Sequence, residues 1–180
     1  MTECIALIRG INVGRNKRIA MADLRGILVD LGHTNVRTLL NSGNVLFQSK
    51  RPNVVKIAAS IETAIKTACG MSAAVTVTTA QDFDLIVNEN PLLQVVDDHA
   101  RHFVAFFAHP KHLEVLRPML KESWKPDALG ITRRAAYLWC ASGILESKLL
   151  LAFSRKAGAT VTTRNWATVL TLQAAAQEAT

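Results

Sequence analysis

Cysteine is scarce in this chain of 180 residues, and the three that occur, Cys4, Cys69 and Cys140, stand far apart in the sequence. No pair has the C-x-x-C spacing of a metal or redox motif, and an odd number does not complete a set of disulfides. We therefore expect reduced thiols that are buried as small apolar side chains.

Long apolar runs and a targeting segment are also missing. The longest uncharged stretches, such as HFVAFFAHP, fall well short of the roughly 18 residues that a membrane-spanning helix needs. The N-terminal MTECIALIRG carries Glu3 and Arg9 where a signal peptide has a basic start and an apolar middle. These absences predict a cytoplasmic protein without a membrane partner.

Aromatic residues make up only 6% of the chain, but the apolar fraction of 49% is enough for a core in one domain or in two small ones. The net charge is +7. It divides into +3 for residues 1–90 (10 minus 7) and +4 for residues 91–180 (11 minus 7), so neither half is a basic tail. A positive charge spread this evenly is compatible with binding of an anionic small molecule or of RNA, and it can also serve solubility alone.

Hydrophobic periodicity in the first half predicts the order β-α-β-β-α-β. The segments in order are the strand ECIALIR, a helix from Met21 to Leu31, the strands NVRTLL and NVLFQS, a helix from Val54 to Ala68, and the strand AAVTVTT. Gly32 and Gly70 mark the helix ends, and Gly43 in the turn NSGN is expected at positive φ. This order is that of a ferredoxin-like unit, here followed by the short helix AQDFDLIVN.

The second half repeats the pattern. Its segments are the strand HFVAFFAH, the helix PKHLEVLRPML with a break at Pro118, the strands DALGIT and AAYLWC, the helix ILESKLLLAFSRKAG, the strand ATVTT, and a final helix from about Arg164. Two similar segments, VTTAQDF and VTTRNWA, lie 84 positions apart, and each spans the junction between a predicted strand and a predicted helix. We predict an α+β fold, a tandem duplication of ferredoxin-like (βαββαβ) units with antiparallel sheets and an extra helix after each. The predicted domains are residues 1–90 and 101–180, the second including the terminal helix, joined by a linker at 91–100.

Such a unit has the strand order 4-1-3-2, so the end of its first strand meets the start of its third. In the first half, this places the polar loop from Gly10 to Arg18 beside the hairpin Ser42, Gly43, Asn44. Backbone N–H groups of such a loop, with a following helix N-terminus, suit an anion. The candidate ligand-binding residues here are Arg9, Asn12, Lys17, Ser42 and Asn44. A purely structural turn is the alternative for the loop and the hairpin.

In the second half, the ends of the third and fourth strands share an edge. Ser147 and Lys148 are therefore expected near Arg164, Asn165 and Trp166. A cation in the first turn of the final helix opposes the helix dipole at a cost of about 0.3–1 kcal/mol, which binding of an anion would offset. These five residues complete the candidate ligand-binding set, and core packing is the alternative for Trp166.

The histidines suggest a metal site that geometry disfavours. His99 and His102 form one pair and His109 and His112 another. A strand between the pairs would separate them by about 20 Å at roughly 3.3 Å per residue, too far to share one ion. No metal site and no cofactor are expected, and no catalytic residue can be assigned.

Four segments, IALIRGINVG, MADLRGILVDLGHTNVRTLLNSGNVLF, GILESKL and TTRNWATV, resemble the bacterial family filed as domain of unknown function 1697. The resemblance implies a two-part ferredoxin-like α+β protein and supplies no established activity. The positions that match the family's motifs are Arg9, Gly10, Asn12, Gly14, Ser42, Gly43, Asn44, Ser147, Lys148, Thr163, Arg164, Asn165 and Trp166.

The leading hypothesis is a cytoplasmic protein that binds a small anionic ligand, phosphate- or nucleotide-like, in a cleft between the two halves. Cations would neutralise its charge while asparagines orient it. One alternative is an RNA-binding protein that uses the ferredoxin-like sheet surface, although NVLFQSK offers a single aromatic, Phe47. Another is an enzyme in the same cleft, for which Asp97, Asp98 and His99 are the nearest acid–base candidates. Enzymatic activity and oligomeric state stay open.

Overall fold

A computed structural model describes residues 1–12, 19–50, 52–109 and 111–178 of the chain. Within these ranges the chain forms eight strands and six α-helices. The strands are β1 (Thr2–Arg9), β2 (Thr34–Leu39), β3 (Asn44–Ser49), β4 (Ala74–Thr79), β5 (His102–Phe107), β6 (Ala128–Ile131), β7 (Ala135–Trp139) and β8 (Val161–Asn165). The helices are α1 (Met21–Asp30), α2 (Val54–Cys69), α3 (Ala80–Asn88), α4 (Lys111–Glu114), α5 (Lys148–Ala157) and α6 (Trp166–Gln177).

These elements form two compact units. The first unit comprises Met1–Phe83 together with Leu172–Thr180, and the second comprises Asp84–Thr171. The division falls within α3 and within α6. The domain boundaries inferred from the sequence remain a prediction.

Each unit contains one four-stranded antiparallel sheet. The strand order is β2-β3-β1-β4 in the first unit and β6-β7-β5-β8 in the second. Both orders are those of a ferredoxin-like unit, with the first strand of each unit in the interior of its sheet. The predicted α+β class, the two similar halves and the order 4-1-3-2 are confirmed.

The core of the first unit lies between its sheet and two helices. Alternate residues of β1 and β3 pack against Leu24 of α1 and Ile61 of α2, which are fully buried. The Asn53 side chain accepts a hydrogen bond from Lys56 N and begins α2, and Gly70 ends it at φ 66°. Burial of apolar surface, at roughly 25 cal/mol per Å², stabilises this layer.

The second sheet is covered on both faces. On one face Ala105 and Leu138 pack against Phe153 of α5. On the other face the Tyr137 hydroxyl donates a 2.6 Å hydrogen bond to the carbonyl of Ile86 in α3. The edges and the loops are therefore where a binding site can form in this unit.

The observed helix limits differ from the predicted ones in three places. The helix predicted for PKHLEVLRPML with a break at Pro118 is indeed interrupted, but earlier, because α4 ends at Glu114 and a 3-10 turn that contains Pro118 covers Arg117–Lys121. Pro118 lacks the N–H that a continuous helix would need. The helices α5 and α6 start later than predicted, at Lys148 and Trp166, because the side chain of the preceding residue caps each of them.

All three cysteines are free thiols, and Cys4 and Cys140 are buried. In the part of the chain that the structure describes, no helix has both the length and the apolar character needed to cross a bilayer.

Candidate functional site

The end of β1 and the start of β3 meet at one edge of the first sheet, as predicted from the sequence. Leu7 pairs with Asn44, and Arg9 pairs with Ala74 at the start of β4. Arg9 is the last residue of β1 and is exposed. Arg9 and Asn44 therefore lie at the same end of the first sheet.

Asn44 and Ser42 bond to each other and to the hairpin backbone. The Asn44 side chain is fully buried, and its Nδ2 donates to Leu39 O at 3.1 Å and to Ser42 Oγ at 2.8 Å. These bonds close the turn between β2 and β3. The purely structural interpretation of the hairpin accounts for both side chains.

Asn12 has a similar structural role in the neighbouring loop. It adopts φ 55°, its Oδ1 accepts from Ile19 N at 3.0 Å, and its Nδ2 lies 3.4 Å from Asn41 O. Lys17, the remaining candidate of this loop, lies outside the described residues. An open pocket of about 570 Å³ adjoins the loop and is lined by Asn12, Ile19, Ala20, Met21 and Asn41.

The ends of β7 and β8 share an edge of the second sheet, again as predicted. His102 at the start of β5 pairs with Trp139, and Phe103 pairs with Asn165. Because β5 lies between the other two strands, their ends are separated by two strand spacings, or about 10 Å.

Arg164 lies in β8, where it pairs with Val104, and not in the first turn of a helix. Its Nη1 donates to Thr163 O at 2.9 Å. The side chain is half-buried, and burial lowers the pKa of Arg164 to about 10. The helix-dipole argument for this residue is therefore wrong. The unfavourable environment of the cation arises from its removal from water.

The two residues after Arg164 organise the start of α6. Asn165 Oδ1 accepts from Thr168 N at 2.9 Å and caps the helix. Trp166 is only 3% exposed, and its ring stacks on His102 with a centroid separation of 5.0 Å and an interplanar angle of 26°.

His102 is fully buried, and its tautomer follows from its partner. Asn90 Oδ1 accepts from Leu92 N, so Asn90 Nδ2 is the donor that lies 3.3 Å from His102 Nε2. The ring proton of the neutral imidazole therefore sits on Nδ1. This atom is buried and has no hydrogen-bond partner among the described residues. Burial, together with the charge of His99, lowers the pKa of His102 to about 4.

A buried carboxylate organises the loop before α5. Asp127 Oδ2 accepts from Ser147 Oγ at 2.7 Å, and Asp127 Oδ1 accepts from Ala141 N at 2.9 Å. Ser147 Oγ in turn accepts from Leu150 N and caps α5. One side chain thus holds both ends of the loop 141–147.

Lys148, the first residue of α5, is exposed and lines a pocket of about 340 Å³. We call it the lysine pocket. Two segments contribute its lining residues, which are Ser123, Trp124, Lys125, Pro126, Asp127, Ser142, Glu146 and Lys148. Arg164, Asn165 and Trp166 do not line this pocket.

A larger groove of about 600 Å³ lies in the first unit, far in the sequence from these cations. Its lining comes from α1, the residue that follows it, and α2, and consists of Ile27, Asp30, Leu31, Ala59, Ser60, Thr63, Ala64, Thr67 and Ala68. Asp30 is the charged residue in this lining. The chemistry of this groove does not suit an anion, so we place the candidate site at the lysine pocket.

Sequence reasoning missed Asp127, Trp124 and Lys125. They occur in the segment SWKPDALG, where Pro126 signals a turn but nothing indicates a contact. Asp127 and Ser147 are 20 positions apart in the chain, and no local periodicity connects them.

Of the acid–base candidates in the second unit, Asp98 is engaged in the local structure. Asp98 forms an ion pair with Arg101 at 3.1 Å, and its other oxygen accepts from Ala100 N at 2.8 Å. In the ranges that the structure covers, no three His, Cys, Asp or Glu side chains are grouped so that they could hold a metal ion.

Comparison with known proteins gives a family and a fold. A family model described as "Protein of unknown function (DUF1697)" matches residues 1–137. The chain belongs to this family. The solved structure of the conserved bacterial protein SP0830 from Streptococcus pneumoniae is similar, with a TM-score of 0.79 and 23% sequence identity over 97% of this chain and 98% of that chain. This similarity concerns the fold. No curated protein matches the chain.

Proposed function

We propose that this DUF1697 protein binds a small anionic ligand, one that carries a phosphate or carboxylate group, in the lysine pocket. The observation that supports the proposal most directly is that Lys125 and Lys148, from two separate segments, line one concave site of about 340 Å³. This volume lies at the lower end of the range of roughly 300–1,000 Å³ for small-molecule sites.

The start of α5 adds to the attraction for an anion. Ser147 takes up the N–H of Leu150, but the first amides of a helix lack acceptors within the helix. These N–H groups and the positive end of the helix dipole favour negative charge close to Lys148. The hydroxyls of Ser123 and Ser142 supply further donors in the lining.

Two carboxylates in the lining oppose this attraction to different degrees. Both oxygens of Asp127 accept hydrogen bonds from the protein, which directs the carboxylate towards the loop it holds. Glu146 is exposed and lines the same pocket. Its charge should weaken the binding of an anion, so the ligand's charged group is expected on the lysine side.

The RNA-binding alternative depends on Phe47, and this side chain is fully buried. It packs in the core beneath α1 and α2 and against the ring of His33 at 4.6 Å. A base cannot stack on a ring without exposed surface. The same sheet buries Ile5 and Leu46 on its opposite face, so we favour the small ligand.

Thermal-shift and calorimetric titrations with inorganic phosphate and with phosphorylated metabolites test the proposal. We expect a rise in Tm for the wild type, binding at least tenfold weaker for Lys148→Ala and Lys125→Ala, and tighter binding for Glu146→Gln. Lys156→Ala, which removes an exposed lysine from the last turn of α5, is the matched control.

Arg164→Ala decides between the two groups of cations at this sheet edge. If Arg164→Ala abolishes the stabilisation and Lys148→Ala leaves it unchanged, the site lies in β8 and α6 and the lysine pocket is ruled out. A protein whose Tm responds to none of these anions would contradict the proposal altogether.

A further inference from the structure

Trp124 gives the lysine pocket a second kind of recognition surface. It is half-buried, and it lines the pocket together with Pro126 and the two lysines. Its Nε1 donates a 2.8 Å hydrogen bond to Met119 O in the 3-10 turn, which fixes the orientation of the indole. The ring is therefore held in place before any ligand arrives, so little conformational entropy is lost on stacking.

Apolar side chains are also exposed beside this pocket. Ile144 and Leu145 are 49% and 96% exposed, and they lie in the loop between the lining residues Ser142 and Glu146. Asp127 anchors both ends of this loop. Exposing a leucine this fully forgoes the gain from its burial, and a ligand with an apolar group would recover part of it.

We propose that the ligand of the lysine pocket is an aryl anion, in which an aromatic ring stacks on Trp124 and an attached phosphate or carboxylate binds to Lys125 and Lys148. This inference rests on the proposed function and narrows its ligand class. Indole faces bind aromatic rings and suit a planar partner better than a saturated one. The volume of about 340 Å³ suits a ligand with one ring system.

Tryptophan fluorescence can report binding in this pocket, because the other two tryptophans are buried. Trp139 and Trp166 are 6% and 3% exposed, and Trp124 is the tryptophan that lines the pocket. We expect phenyl phosphate to quench the fluorescence of Trp124 and to bind at least tenfold more tightly than inorganic phosphate. Cyclohexyl phosphate, which has a similar size and charge but no π face, should bind several-fold more weakly than phenyl phosphate.

Calorimetric titration of Trp124 variants measures how much the indole ring contributes to binding. Trp124→Leu should bind phenyl phosphate and inorganic phosphate equally, and Trp124→Phe should keep most of the preference. A far-UV spectrum and a Tm for each variant show whether the 3-10 turn survives the loss of the bond to Met119.

The outcomes separate this inference from the proposed function. If phenyl phosphate binds no better than inorganic phosphate while Lys148→Ala still abolishes phosphate binding, the aryl preference is wrong and anion binding stands. If neither anion binds the wild-type protein, both are wrong.

Discussion

In the first unit, the side-chain amides of Asn12 and Asn44 join the loops at the sheet edge, whereas in the second unit a single buried carboxylate, that of Asp127, joins the loops there. Asn12 and Asn44 use their side-chain amides to hold the neighbouring backbone. Asp127 holds a backbone N–H and a hydroxyl at the two ends of one loop. The strand orders are nevertheless the same.

The same fold therefore leaves cationic side chains available to a ligand at the edge of the second sheet, whereas at the edge of the first sheet the candidate amides are bonded to the protein. The Asp127 carboxylate accepts both the backbone N–H and the hydroxyl, and Lys125 and Lys148 line a pocket beside it. In the first unit the candidate amides are occupied by the backbone they stabilise. We therefore expect ligand binding at the second edge and stability effects at both.

Asp127→Ala should have the largest effect on stability. It removes two charge-assisted hydrogen bonds of roughly 1.5–3 kcal/mol each and leaves Ser147 Oγ without its acceptor, so we expect a loss of about 4 kcal/mol. Asn44→Ala removes neutral bonds and should cost about 2 kcal/mol. Urea unfolding of both variants, with exposed Asp97→Ala as control, measures the difference. Equal losses of unfolding free energy for Asp127→Ala and Asn44→Ala would contradict the expected difference between the two sheet edges.

Acid should destabilise the second unit through His102. Its folded pKa of about 4 lies below the ordinary 6.5, so the unfolded chain takes up the proton first as the pH falls. Stability is unaffected above pH 6.5 and should decrease by about 3 kcal/mol as the pH falls from 6.5 to 4. The positive charge of His99 also opposes protonation of His102.

Unfolding midpoints measured from pH 7 to pH 4 test this dependence. His102→Gln should show a shallower loss, while His109→Gln, a change at an exposed position, should follow the wild type. The first unit has a counterpart in His33, whose pKa burial also lowers. Identical slopes for the wild type and His102→Gln would assign the acid sensitivity to other groups.

The smallest effect is expected for Gly143, which like Gly43 follows a serine at one of these edges. Gly43 has φ 75°, and an added Cβ would lie 2.7 Å from Ile8 O, whereas Gly143 has φ 98° and open space. Gly143→Ala should therefore cost about 1 kcal/mol from backbone strain alone. Gly43→Ala should cost about 2 kcal/mol more because the β1 backbone must move. Chemical denaturation measures both, and a Gly143→Ala loss as large as that of Gly43→Ala would contradict this account.

Much of the fold could be predicted from the sequence because its signals are local. The apolar alternation of ECIALIR, the helical spacing from Val54 to Ala68 and the turn around Gly43 each lie within a few residues. The ferredoxin-like topology then specifies which strand ends meet, and the pairings of Leu7 with Asn44 and of Phe103 with Asn165 agree with it. Local signals were weakest at helix starts, where the caps Ser147 and Asn165 set the limit.

The sequence by itself thus determined the fold class, the strand order and the edge at which each polar segment lies. Only the tertiary structure decided which polar groups meet, since a contact such as Asp127 with Ser147 depends on the packing of segments 20 positions apart. It also decided that Lys148 shares a pocket with Trp124 and Lys125 and that Arg164 lies in a strand. The physical reason is that periodicity reports the burial of a residue, whereas a binding site depends on side-chain directions that only the completed packing sets.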